Sequence, residues 1–335
     1  MHNLIKKHSI NKKMILILLL LLCVFSFFFS INMGAVDIDL LKIFKAIFIE
    51  RETVNHQIIY NVRLPRALTA GLVGICLSLS GAILQGIMRN PLAGTNIIGV
   101  SSGAGFMALI ILILFPQYYY LVPAGSFLGA LMSTLLIYII TWKNGIQPMR
   151  FILSGVAVSS FLNAGINSLM ILFPGRVSGV IGFMVGGLSG ITWTHFKMIL
   201  PYTAIGIVFV FVMPQKLNIL MLGDEVATGL GLNVERTRFI LIVLSSILAG
   251  SAVSVVGLLG FVGLIVPHIA RLLIGSDYRY LFLATILLGA SILLICDTLS
   301  RVLFQPFEIP VGIIMSVLGV PFFLYLLRER RSVGR

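Results

Sequence analysis

From residue 14 to residue 327 the chain alternates long apolar stretches with short polar interruptions. A helix rising 1.5 Å per residue needs about 20 apolar residues to cross the hydrocarbon of a bilayer. On that measure the pattern predicts spans near 14–31, 67–88, 97–116, 121–142, 151–173, 199–221, 238–257, 281–303 and 309–327, with a shorter apolar piece at 258–274. The short piece makes ten crossings. Helices are expected throughout, because lipid leaves a backbone no partner outside its own segment. The fold class read from this is an all-α polytopic membrane protein, a single transmembrane domain over 1–335. Residues 34–62 read as a segment on the outer side, part of it an interfacial helix.

One interruption is too long to be a turn. Pro214–Arg238 carries Asp224 and Glu225, then Gly229 and Gly231, then Glu235, Arg236 and Arg238. Asp224 is a candidate N-cap, since its carboxylate can accept the free amides of a first turn. Gly229 or Gly231 can end that helix in the left-handed conformation, and Asn233 can cap a second short one. Helix, glycine turn, helix at the membrane face is one reading; a solvated connecting loop is the other. Small residues also line the second span: Gly74, Ser78, Ala82 and Gly86 recur every fourth position and make one stripe for close helix contact. Ser246, Gly250 and Ser254 repeat the spacing in the seventh.

Composition agrees with a bilayer. Only 10% of the 335 residues are charged, against about 25% in soluble domains. The net charge of +13 raises nucleic acid as a partner, but the basic residues are scattered between apolar runs, which the positive-inside bias explains better. With both termini in the cytoplasm, Lys42, Lys45, Arg51, Arg63, Arg66, Arg176, Lys197 and Arg301 fall outside and twice as many cations fall inside. Dropping the short crossing would put the C-terminal Arg328, Arg330 and Arg331 outside. The basic segment 1–13 and the run after it read as an uncleaved first span, because the run exceeds a secretory core and leaves through Asn32-Met33-Gly34, with no small-x-small cleavage site. Cys23, Cys76 and Cys296 all sit in apolar runs, with no disulfide framework.

Enzyme chemistry is not visible. No phosphate loop of the G-x-x-x-x-G-K-[ST] type occurs, so the chain cannot hydrolyse ATP alone. His2, His8, His56, His195 and His268 lack an H-E-x-x-H spacing, so no metal site is expected. An intramembrane serine protease and an ion-coupled secondary carrier stand as alternatives from other classes. The carrier needs intramembrane charge, and the candidate is Asp297, with Arg301 one turn on to pair with it.

Eight ordered blocks then carry a family resemblance. They are Arg63-Leu-Pro-Arg66, Gly81-Ala-Ile-Leu-Gln-Gly86, Asn90-Pro-Leu-Ala93, Gly99-Val-Ser-Ser-Gly-Ala104, Met184-Val-Gly-Gly-Leu-Ser-Gly190, Gly223-Asp-Glu-Val-Ala227, Gly260-Phe-Val-Gly-Leu-Ile-Val-Pro-His268 and Leu318-Gly-Val-Pro-Phe-Phe323. In this order they resemble the permease subunits of iron-chelate (siderophore) and cobalamin ABC importers, the FecCD type. The resemblance implies ten transmembrane helices, a second permease subunit that is either a copy of this chain or a different one, two ATPases that hold the ATP and magnesium, and an extracytoplasmic substrate-binding protein. No cofactor is expected in this chain itself. It implies a bacterial cytoplasmic membrane, and a cargo that is an iron chelate, a ferric siderophore first, with haem or cobalamin as alternatives. Residues 214–238 become ATPase-docking helices, with Asp224, Glu225, Gly229 and Gly231 as coupling residues. Arg63, Arg66 and Arg301 are expected to meet acidic residues of the binding protein; lipid headgroups for the first two, and Asp297 for the third, are the competing partners. In the fifth span Ser160, Asn163 and Asn167 fall within about 60° on a helix wheel, and asparagine facing lipid is unfavourable. They are candidates for the substrate pathway, or for an interhelical hydrogen-bonded seam.

Overall fold

The computed structural model describes residues 12–34, 53–95, 99–142 and 148–333. Among these, every regular element is a helix. Seven helices are long and apolar enough to cross a bilayer, and three shorter apolar ones, Val100–Leu114, Val262–Ile274 and Val311–Leu324, complete the expected ten. We label α1 Lys12–Asn32, α2 Val54–Ile87, α3 Val100–Leu114, α4 Val122–Thr141, α5 Pro148–Leu172 and α6 Trp193–Val212. The short α7 Pro214–Leu220 and α8 Asp224–Gly229 follow. Then come α9 Val234–Val256, α10 Val262–Ile274, α11 Tyr278–Val302 and α12 Val311–Val333.

Three boundaries differ from the hydropathy reading. The second helix starts at Val54, not near 67, and absorbs Pro65 through a π-helical turn over Ile59–Arg63; the wider turn removes the demand for an amide that proline lacks. Arg63 and Arg66 are therefore inside a continuous helix and not at its entrance. The sixth span is Trp193–Val212, not 199–221, because Pro214 opens a separate helix as its first residue. The helix that Asn233 caps is no short one: its side chain accepts the Arg236 amide at the head of α9, the 23-residue seventh span. Of the outer segment proposed for 34–62, residues 35–52 lie outside the described residues.

The core is built on α2, which has 78% of its most apolar window buried, with α9 and α11 at 72% each. The small-residue stripe sets this packing. Gly74 meets Gly289 backbone to backbone, the Ser78 hydroxyl donates to the Thr285 carbonyl at 3.2 Å, and the Tyr278 hydroxyl donates to the Ala82 carbonyl at 3.2 Å. Stripe positions 74, 78 and 82 thus meet α11 positions 289, 285 and 278 in descending order, so the two helices run antiparallel. One residue off the stripe, Gly81 lies against Gly263 of α10, where a Cβ would collide with the Gly263 carbonyl. The second stripe, on α9, packs differently: Gly250 faces Ala130 of α4. By contrast only 11% of the α5 window is buried, which leaves most of that helix's surface to something outside the chain.

Candidate functional site

Polar residues gather at both ends of the α2–α11 pair. At one end Arg66 of α2 reaches Asp297 of α11. Its Nε donates to Oδ1 at 3.2 Å and Oδ2 at 3.1 Å, and Nη2 donates to Oδ1 at 3.0 Å. Its Nη1 donates to Glu308 Oε2 at 2.9 Å, and the same oxygen accepts the Ser189 hydroxyl at 2.9 Å. Asp297 is fully buried, and Arg301 Nε lies 3.3 Å from its Oδ2. The i,i+4 pairing expected of Asp297 is real but secondary; the forked partner is Arg66. Burial opposes ionisation of Glu308, yet the Arg66 hydrogen bond and charge outweigh it and hold the carboxyl below the usual glutamate range.

Arg63 and Arg301 do a further job at this end. Arg63 Nη1 donates to the Ile31 and Asn32 carbonyls at 2.8 Å each, and Arg301 donates to the Ser30 and Met33 carbonyls at 2.9 Å. The last carbonyls of a helix have no partner within it and carry partial negative charge, so two guanidiniums cap α1 well. All three arginines are mostly buried, and they share the wall of a cavity of about 580 Å³ with Gln305, Pro306 and Glu308. The sequence singled out the arginines but missed Glu308 and Ser189. Neither sits in a periodic pattern, and Glu308 is 242 positions from Arg66.

At the other end the short helices α7 and α8 turn back on the bundle. Gly223 precedes α8 at φ 110° and no side chain caps it. Asp224, expected to be the N-cap, is instead the first helical residue, and its carboxylate, 43% exposed, turns to the buried Arg238. Arg238 Nη2 donates to Asp224 Oδ1 at 2.9 Å and Oδ2 at 3.1 Å, and Arg89 Nη2 lies 3.5 Å from Oδ1. Glu225 is exposed beside Val226, with Leu222 and Leu230 exposed on either side of the helix. Gly229 ends α8, and Gly231 takes φ 81° in the turn to α9. Of the four coupling candidates, Glu225, Gly229 and Gly231 are exposed, while Asp224 is half-exposed and ion-paired with Arg238. On α7, Asn218 donates to Asp277 Oδ1 at 2.8 Å and accepts the Tyr278 amide at 3.0 Å. The hydrogen-bonded Arg279 guanidinium, together with Asn218, holds the Asp277 carboxyl far below the ordinary aspartate range.

Ser160, Asn163 and Asn167 are all exposed on α5. The Ser160 hydroxyl donates to the Val156 carbonyl at 2.8 Å, within its own helix. The three thus share one open face, between exposed apolar residues such as Leu153, Phe161 and Ile171. His268, which follows Pro267 inside α10, packs edge-on to Phe322 with ring centroids 6.0 Å apart.

Comparison with known proteins decides the class. The profile of the FecCD transport family matches residues 20–329. The chain belongs to that family. Relatives in it are named as permeases of ferric-citrate, hydroxamate, cobalamin and hemin import systems. The YfmE permease of the Fe(3+)-citrate import system of Bacillus subtilis is 45% identical over 81% of this chain and 82% of its own length. The YfmD permease of that system, from the same organism, is 36% identical over 99% of this chain and 100% of its own. Among solved structures, a metal-chelate type ABC transporter in an inward-facing conformation superposes with a TM-score of 0.85 at 29% identity, covering 95% of this chain and 99% of that one. This FecCD chain is therefore an ABC import permease embedded in a membrane, and the carrier and protease alternatives fall away.

Proposed function

We propose that this permease carries a ferric chelate, a siderophore or ferric citrate, across a bacterial cytoplasmic membrane into the cytoplasm. Haem and cobalamin are the alternative cargoes; the shared ferric-citrate name of the two Bacillus subtilis relatives supports the first reading. Those two also suggest the partner: two different permeases carry one system's name, so a second, related permease chain pairs with this one. Two ATPases, which bind ATP and magnesium, dock on the exposed face of α8 through Glu225, Val226 and the Gly229–Gly231 turn. Both termini and α8 lie in the cytoplasm. The opposite end faces the extracytoplasmic binding protein, and there Arg63, Arg66 and Arg301 set three guanidiniums against the two carboxylates of Asp297 and Glu308. The surplus positive charge draws acidic side chains on that partner, acting through association rate more than affinity.

The observation that carries this reading is the polar stripe Ser160, Asn163 and Asn167, exposed on a helix of otherwise membrane-compatible composition. Amides open to hydrocarbon are costly, so the stripe borders the second permease and the water-filled path between the two. Single cysteines at these positions, in a chain with Cys23, Cys76 and Cys296 replaced, should react with a small aqueous thiol reagent in at least one state of the ATP cycle. Bound ferric chelate should slow that reaction. Failure of all three to react in every state would reject the pathway.

A further inference from the structure

The grip of Asp224 on the buried Arg238 has a mechanical consequence. In a helix, successive residues point about 100° apart, so Asp224 and Glu225 present to different sides of α8. Glu225 is exposed, whereas Asp224 holds Arg238, whose side chain is only 1% exposed. A buried guanidinium needs its carboxylates, and here they are Asp224 and, at 3.3 Å, Glu235. Arg89, in the turn after α2, completes the arrangement from a left-handed backbone with φ 48°, a conformation uncommon away from glycine. Asn218 does the equivalent for α7: its amide bridges the Asp277 side chain and the Tyr278 amide at the head of α11, and Tyr278 in turn reaches the Ala82 carbonyl of α2.

We infer that Asp224 and Asn218 are transmitting residues: they clamp α7 and α8 to α2, α9 and α11, so that a push on α8 moves these three spans as one body. The clamp explains how a six-residue helix, far below the length stable alone in water, can bear load. Force would pass to the buried core of the bundle and not only to α6, its neighbour in sequence. The open helix α5, with only 11% of its apolar window buried, is outside that body, so motion of the body displaces the spans relative to the α5 stripe that borders the path. This inference rests on the proposal that the ATPase docks on α8.

The test separates the two. In the purified permease without ATPase, hydrogen–deuterium exchange at the α8 amides should quicken at least about ten-fold in Asp224→Ala, and less in Arg238→Lys, which keeps the charge but loses the fork. In the reconstituted importer, the same Asp224→Ala chain should still retain the ATPase on purification. The number of chelate molecules imported per ATP hydrolysed should fall at least about five-fold. Asp224→Asn, nearly isosteric, serves if the alanine chain does not insert. Unchanged exchange overturns the clamp; faster exchange with an unchanged transport ratio overturns transmission. Glu225→Arg is the control for docking: it should release the ATPase without altering α8 exchange. If it leaves assembly and transport intact, the docking proposal fails, while the exchange result still decides whether the clamp exists.

Discussion

Asp297 offers the sharpest test of what holds the Arg66 end together. Its carboxylate is completely buried between Arg66 and Arg301, whose side chains are 10% and 8% exposed. Asp297→Ala would remove three hydrogen bonds from Arg66 and leave two guanidiniums with Glu308 as the one carboxylate remaining in the cluster. Removing one partner of a buried ion pair costs about 3–5 kcal/mol, a large share of the roughly 5–15 kcal/mol that separates a folded from an unfolded domain. Asp297→Asn keeps the size and one acceptor oxygen. Charge-assisted hydrogen bonds are about twice as strong as neutral ones, so the asparagine should cost about half as much. Adding Arg66→Met to an Asp297→Leu chain should recover part of the loss, because a buried pair replaced by apolar residues is close to neutral.

The chain contains its own reporter. Cys76 is fully buried between α2, α6 and α9, where its sulfur lies 3.1 Å from the Thr203 hydroxyl. A thiol-reactive fluorophore added to the detergent-solubilised permease should therefore label it only on unfolding, in a background where Cys23 and Cys296 are replaced by serine or alanine. The midpoint of Asp297→Ala should fall by about 4–7 °C, with asparagine in between. A midpoint within about 1 °C of the parent chain would refute the account, and would mean that Glu308 and the α1 carbonyls satisfy both arginines unaided.

Two further outcomes follow from the packing and the charges. Gly81→Ala should destabilise by about 1–3 kcal/mol or more, because its Cβ meets the Gly263 backbone, which has nowhere to move. Gly71→Ala, on the same helix with nothing near its Cβ, should be neutral or stabilising by up to about 1 kcal/mol; equal melting of the two chains would reject the close contact of α2 and α10. Glu308 predicts an acid limb. Its folded pKa lies below its unfolded value of 4.5, so its contribution is complete above that pH and is lost as the pH falls through the lower folded value. Melting midpoints between pH 7 and pH 3 should decline less steeply in Glu308→Gln, and parallel curves would remove Glu308 from the network.

The spans were legible because lipid imposes a simple rule on composition, and ten of them emerge from apolar runs alone. The exceptions are instructive. Residues 213–221 look like the end of a span because Leu217 and Leu220 are apolar, but those side chains are buried in the bundle. Hydropathy cannot tell burial in protein from exposure to lipid; Pro214 was the signal that could. Asn55, His56, Gln57 and Asn61 made the start of α2 read as part of the outer segment and not of the span, although the helix runs through them. The arginines and Asp224 were visible as charges out of place. The pairing of Arg66 with Asp297 and Glu308 was not, since contacts across more than 200 positions leave no periodic trace, and Arg238 as the partner of Asp224, 14 positions on, became clear only once the start of α8 was fixed at that residue.

Those arginines also bear on orientation. The positive-inside rule counts cations in short loops near helix ends, and Arg66 lies 12 residues into α2, with Arg301 inside α11. Lys197 likewise belongs to α6. Arg66 and Arg301 fall under a different rule, that charge within a span is expensive and is paired where it occurs, and Asp297 and Glu308 meet it. A purely structural cross-link between α2 and α11 would be served as well by apolar side chains. What apolar side chains could not supply is the surplus of three guanidiniums over two carboxylates beside an open cavity, and that surplus gives this end of the permease the sign that an acidic partner would require.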